Sequence, residues 1–66
     1  MHDIWAEVQD WMMTGDDRKI EFSHGGRGGK WYAAIHDDDG FVYDGVGDSH
    51  DEALAAAWAT FLHDAP

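Results

Sequence analysis

The fold turns on one stretch, Lys30-Trp31-Tyr32-Ala33-Ala34-Ile35-His36, followed by Asp37-Asp38-Asp39-Gly40 and then Phe41-Val42-Tyr43-Asp44-Gly45-Val46. In the first segment Trp31, Ala33 and Ile35 alternate with Tyr32, Ala34 and His36, the two-residue period of a strand with one buried side. The acidic run ending in glycine has turn chemistry and the third segment is again strand-like, so together they predict a β-hairpin. Gly40 suits a type I turn followed by a left-handed residue forming a bulge. That loop brings Ile35 beside Tyr43, sets Phe41 on the core face and keeps Asp44 away from the core. A four-residue loop would pair Ile35 with Val42, a one-residue slip that exchanges faces. The bulged loop is preferred because of where it leaves Asp44.

Working outward, Ile20 and Phe22 alternate with Lys19, Glu21 and Ser23 in a short strand, and His24–Gly29 is a flexible connection. Before it, Ile4, Trp5, Val8, Trp11 and Met12 fall on one face of a helix over 3–14. Asp3 is its expected N-cap and Gly15 its left-handed C-terminal cap, with Glu7 and Asp10 on the opposite face toward water. After the hairpin, Ser49-His50-Asp51-Glu52 matches a capping box, in which serine and glutamate side chains satisfy free amides at a helix start. The helix runs to about His63 with an apolar stripe of Leu54, Ala57, Trp58, Phe61 and Leu62. Ala53, Ala55, Ala56 and Ala59 favour helix and allow close approach to a sheet. The fold class is α+β: a single αβββα domain over residues 1–66, a three-stranded antiparallel meander with both helices on one face.

Sixty-six residues make one domain at most. Without cysteine there is neither a disulfide nor a thiolate ligand, so stability rests on apolar packing, to which four tryptophans contribute large rings. No apolar run approaches the ~20 residues of a membrane span and no signal-peptide pattern opens the chain, so a cytoplasmic location is expected. Fourteen acids against four bases give a formal charge of −10. All four bases (Arg18, Lys19, Arg27, Lys30) lie in residues 18–30; residues 1–17 and 31–66 carry acids alone. Such a charge repels nucleic acid and membranes and speeds encounter with a basic surface.

Other chemistries lack their patterns. His2, His24, His36, His50 and His63 occupy five segments, without the convergent spacing of a zinc site. Counted from Asp37, a calcium loop would need glycine where Val42 stands. Gly25-Gly26-Arg27-Gly28-Gly29-Lys30 joins strand to strand instead of strand to helix, with Trp31 where a phosphate loop needs serine or threonine; Arg27 could still touch a partner's acidic or nucleic-acid group. Ser23-His24 and Ser49-His50 are mere neighbours in sequence, which does not make a triad. No catalytic group, cofactor or metal is expected, and the chain reads as a binding protein, not an enzyme.

The acids themselves are then the candidate site. The partner-binding set is Asp37, Asp38 and Asp39 at the hairpin tip with Asp44, Asp48, Asp51 and Glu52 along the third strand and second helix. A secondary acidic patch comprises Asp3, Glu7, Asp10, Asp16 and Asp17. Their arrangement suits a basic nucleic-acid-binding protein or complex, with the carboxylates standing in for phosphates. A monomer is expected, with exposed alanines and the sheet edge as the alternative route to a dimer.

Three resemblances bear on this. Lys30-Trp31-Tyr32-Ala33-Ala34-Ile35, Gly40, Gly45-Val46-Gly47-Asp48-Ser49 and Glu52-Ala53-Leu54-Ala55-Ala56-Ala57 resemble the second half of double-stranded RNA-binding domains, which share the αβββα order. There, lysines follow the serine and grip phosphates; here His50, Asp51 and Glu52 follow it, so RNA binding does not carry over. The same segments are similar to HicB-type antitoxins, implying a module that neutralises a basic toxin or RNase, although that family lacks the helix at 3–14. In whole-chain layout the sequence resembles small acidic phage "ABA sandwich" proteins, with a leading aromatic helix, a W-x-A strand, a glycine turn and a terminal A-L-x-x-A helix. That class includes inhibitors of host defence, among them anti-CRISPR proteins that mimic DNA. The resemblance implies an anti-defence protein in the bacterial host cytoplasm that blocks the DNA- or PAM-binding groove of a Cas effector. A phage accessory protein without a charge-dependent partner is the remaining alternative.

Overall fold

The computed structural model describes residues 3–25 and 28–64; His2, and Gly26 and Arg27 of the glycine-rich loop, lie outside them. The order is α1 (Ile4–Met13), β1 (Lys19–His24), β2 (Trp31–His36), β3 (Val42–Gly47) and α2 (His50–Asp64). The strands form one antiparallel sheet in the order β1-β2-β3. This is the expected αβββα arrangement.

The hairpin takes the bulged register, with Ile35 opposite Tyr43 and Ala34 opposite Asp44. Gly40 supplies the left-handed residue at φ 89°, and its amide donates to the Asp37 carbonyl at 3.2 Å. Phe41 departs from expectation. It precedes β3, stands opposite Asp37 in the closing pair of the turn and is 60% exposed instead of facing the core. Tyr43, two residues on, is the first side chain of this strand to be buried.

Cross-strand pairing puts Ile20 and Phe22 of β1, Trp31, Ala33 and Ile35 of β2, and Tyr43, Gly45 and Gly47 of β3 on one face. α2 lies on that face, and the two glycines let it come very close. A Cβ on Gly45 would overlap the Ala57 amide nitrogen and fall 2.5 Å from the Ala53 carbonyl oxygen. One on Gly47 would fall 2.7 Å from the Ala53 nitrogen. Ala53 and Ala57 are fully buried beside Leu54, Trp58, Ile35 and Val8. Covering a side chain such as Leu54 or Ile35 stabilises the fold by about 1.5–3 kcal/mol. Leu62 leaves the expected stripe: the buried positions are 53, 54, 57 and 58 with Phe61 half-covered, and Leu62 is 61% exposed beyond them.

α1 joins the same layer through long side chains. Trp5 meets Phe22 and His50, whereas Trp11 lies edge-on to Trp58 and Phe61 at 5.6 and 4.9 Å. Low numbers in α1 thus meet low numbers in α2 and high meet high, so the two helices run side by side in the same direction. Asp3 caps α1 by accepting from the Trp5 amide at 3.1 Å. Ser49 Oγ accepts from the Glu52 amide at 3.2 Å, whereas Glu52 Oε2 reaches one residue further back than a standard box and accepts from the Asp48 amide at 2.8 Å.

The other end of α1 corrects the sequence reading. Gly15 does not adopt a left-handed conformation; Thr14 is the C-cap. Arg18 does the capping, its Nη1 donating to the Trp11 carbonyl and to Thr14 Oγ1, both at 2.7 Å. The guanidinium also covers the Trp11 ring at 4.8 Å. Gly15 is small because Arg18 folds across it, leaving no room for a Cβ. Among the described residues, no helix is long and apolar enough to cross a membrane.

Candidate partner-binding surface

The two ends of the sheet organise the acids. Strands β1 and β2 begin and end at Lys19–His36, so the α1–β1 turn and the hairpin tip share one end. Asp16 and Asp17 come to this end with Asp38 and Asp39, and Arg18 Nε lies 3.5 Å from Asp38 Oδ1. α2 also finishes here, Phe61 packing on Tyr43 at 5.2 Å. Burial, then the carboxylates of Asp37, Asp64 and Asp39, hold the Tyr43 phenol above its ordinary pKa, which places Asp64 in the same field. The opposite end, about 20 Å away along six-residue strands, gathers Asp3, Asp48, Asp51 and Glu52 around the two helix starts. Trp5 Nε1 donates there to Asp51, and Lys30 pairs with Asp48, which holds the ammonium above its ordinary pKa. The sequence division into a hairpin-and-α2 patch and an α1 patch is therefore redrawn: each contributes to both ends.

Local bonding separates these carboxylates further. Asp37 is buried, and its Oδ1 accepts from the amides of Asp39 and Phe41, both at 3.0 Å, so it closes the turn. Asp3 and Glu52 serve as caps. Glu7 does not point only to water: its Oε2 accepts from Trp58 Nε1 at 3.2 Å, tying α1 to α2. Asp10 is exposed on the outer side of α1, and Asp16, Asp17 and Asp39 are exposed at the hairpin end.

Asp44 belongs to neither end. It lies on the face of the sheet turned away from the helices, in a row with Ala34 and Glu21. Glu21 was not among the sequence candidates, although alternation with Ile20 and Phe22 already puts it on that face. Lys19 Nζ lies 3.0 Å from Glu21 Oε1 and His36 Nε2 lies 3.2 Å from the same oxygen. The hydrogen bond and charge of Lys19, followed by the charge of His36, hold the Glu21 carboxyl below its usual pKa. Tyr32 and Val46 stand beside this row, 48% and 52% exposed.

The histidines are dispersed. His24 packs on Trp31, His50 sits among the rings of Trp5, Phe22 and Trp31, and His63 lies 4.0 Å from Asp64. Among the described residues no three His, Asp or Glu side chains are grouped to hold a metal ion. Comparison with family models, curated proteins and solved structures finds no match to this chain.

Proposed function

We propose that the chain is a stoichiometric binding protein that occupies the positively charged nucleic-acid groove of a basic partner. The observation that carries this reading is the charge at the hairpin end. Asp16, Asp17, Asp38, Asp39 and Asp64 surround the point where both helices end, and each helix C-terminus adds the equivalent of roughly half a negative charge. Arg18 offsets the dipole at the α1 C-terminus, but Asp64 at the end of α2 opposes its helix dipole, which costs stability when the chain is alone. A lysine- and arginine-lined groove would offset that cost. Duplex DNA presents such grooves with about one charge per 1.7 Å of axis, a density that clustered carboxylates on a rigid frame can imitate.

The likeness to small acidic phage proteins directs the proposal to a particular partner, a Cas effector whose DNA- or PAM-binding groove the chain would block. The chain would then be an anti-CRISPR acting in the bacterial host cytoplasm, by occupancy and without catalysis. The test is binding of target DNA by a purified effector–guide complex, with and without the chain. One chain per effector should abolish DNA binding, and rising salt should restore it. An Asp38→Lys, Asp39→Lys double variant should lose inhibition while keeping its fold, since neither side chain closes the turn. DNA binding that is unchanged by saturating chain would overturn the reading.

A further inference from the structure

The sheet face opposite the helices is built in three cross-strand rows: Lys19–His36–Val42, Glu21–Ala34–Asp44 and Ser23–Tyr32–Val46. Over the last two rows lies an open concavity of about 540 Å³, lined by Glu21, Ser23, Tyr32, Ala34, Asp44 and Val46 among others. The middle of its floor is only the Ala34 methyl. On either side stand two carboxylates whose backbones are about 10 Å apart, two strand spacings. At one border is the half-exposed ring of Tyr32, with Val46 paired beside it.

We propose that this concavity seats an arginine side chain of a basic protein partner, its guanidinium held between Glu21 and Asp44 above Ala34 and its flat face laid against Tyr32. A guanidinium is planar and weakly hydrated, takes carboxylate acceptors in its plane and stacks on aromatic rings. The concavity offers each of these features. Lys19 and His36 both approach Glu21 at Oε1. Glu21 Oε2 and both Asp44 oxygens have no bonding partner among the described residues. A lysine ammonium would engage the carboxylates as a point charge but would not lie flat on Tyr32.

Charge also selects among occupants. A second copy on this face would oppose −10 with −10 and bring Glu21 and Asp44 against their own duplicates, and a nucleic acid or an anionic membrane would be repelled. A basic protein surface is attracted over the whole approach. The proposal rests on the partner being basic, and adds which side chain it inserts and where, on a face separate from the hairpin end.

The experiment is an amide NMR titration of the labelled chain at low salt with acetylated tetra-arginine amide, and with its tetra-lysine counterpart. Saturable shifts should centre on residues 21, 32–34 and 44–46. Asp44→Asn and Tyr32→Ala should each weaken binding by about threefold or more, Gln9→Ala on the exposed side of α1 should leave it close to wild type, and tetra-lysine should bind more weakly. Asp44→Asn is nearly isosteric and exposed, so it keeps the test valid even if Tyr32→Ala disturbs the sheet. Shifts centred on 16–17 and 38–39, equal binding by both variants, or no saturable shift would overturn the proposal. So would shifts of the same amides that grow with protein concentration alone, which would put a second copy on the face. Because the effector assay reads DNA binding and depends on Asp38 and Asp39, its failure is distinguishable from failure here.

Discussion

Gly45 lies beneath the amide of Ala57 with no room between them for even a methyl group. The contact fixes how near α2 comes to β3, and with it the fit of Leu54 and Trp58 on the sheet. Gly45→Ala must push the helix outward, and a loss of about 1–3 kcal/mol is expected from urea unfolding. Gly47→Ala should also destabilise, because a Cβ there falls 2.5 Å from the Glu52 Cβ and 2.7 Å from the Ala53 nitrogen, both fixed to the α2 backbone.

Arg18 closes α1 from outside the helix. Arg18→Ala removes the two capping hydrogen bonds, the ion pair with Asp38 and the cation stacked on Trp11, and should lower stability by about 1–2 kcal/mol. Thermal unfolding followed by tryptophan fluorescence would report it directly, because Trp11 loses its cover. Arg18→Lys should recover only part, since a lysine cannot hold both acceptors while covering the ring.

Asp37 and Asp39 of the hairpin tip should behave differently. Asp37→Ala strips acceptors from two amides and should cost about 1.5–3 kcal/mol. Asp39→Ala should change stability by no more than about 0.5 kcal/mol. Urea midpoints of the two variants decide this, and equal midpoints would contradict the turn geometry.

On the acid side, Glu21 is held below its ordinary value of 4.5 by Lys19 and then His36. The sign follows from linkage: its contribution is complete above about pH 4.5 and is lost as the pH falls through the lower folded value. Glu21→Gln should flatten that part of the stability profile. The effect should be small, because the pair is exposed to solvent.

Alkaline pH tests Tyr43. Burial and nearby carboxylates raise its phenol above 10.0, so the unfolded chain ionises first. Stability from this residue is complete below that value and drains away as pH rises above it. Tyr43→Phe should lessen the alkaline loss seen in denaturant midpoints.

Local rules carried much of the fold. Gly40 beside three aspartates indicated the bulged turn, and with it the register pairing Ile35 with Tyr43. Asp3 and Ser49 marked both helix starts through single side chains. What escaped local rules depended on distant partners. Gly15 looked like a left-handed cap until Arg18 took over the capping from a residue beyond the helix. Leu62 fits a helical stripe, but whether the stripe is covered that far depends on the reach of the sheet. The acids are the clearest case: Asp17 and Asp38 are far apart along the chain, yet strand pairing brings them to one end. Alternation placed Glu21 on the outer face, but only the register set it across Ala34 from Asp44.

The shared direction of α1 and α2 has a consequence for how this molecule would approach anything charged. Two aligned helix dipoles add instead of cancelling, and both point the same way along the sheet. The chain is therefore an oriented particle as well as an anion. In the field of a positive surface it would feel a torque that turns the hairpin end forward before contact, so that encounters are aligned by rotation and not by repeated collision.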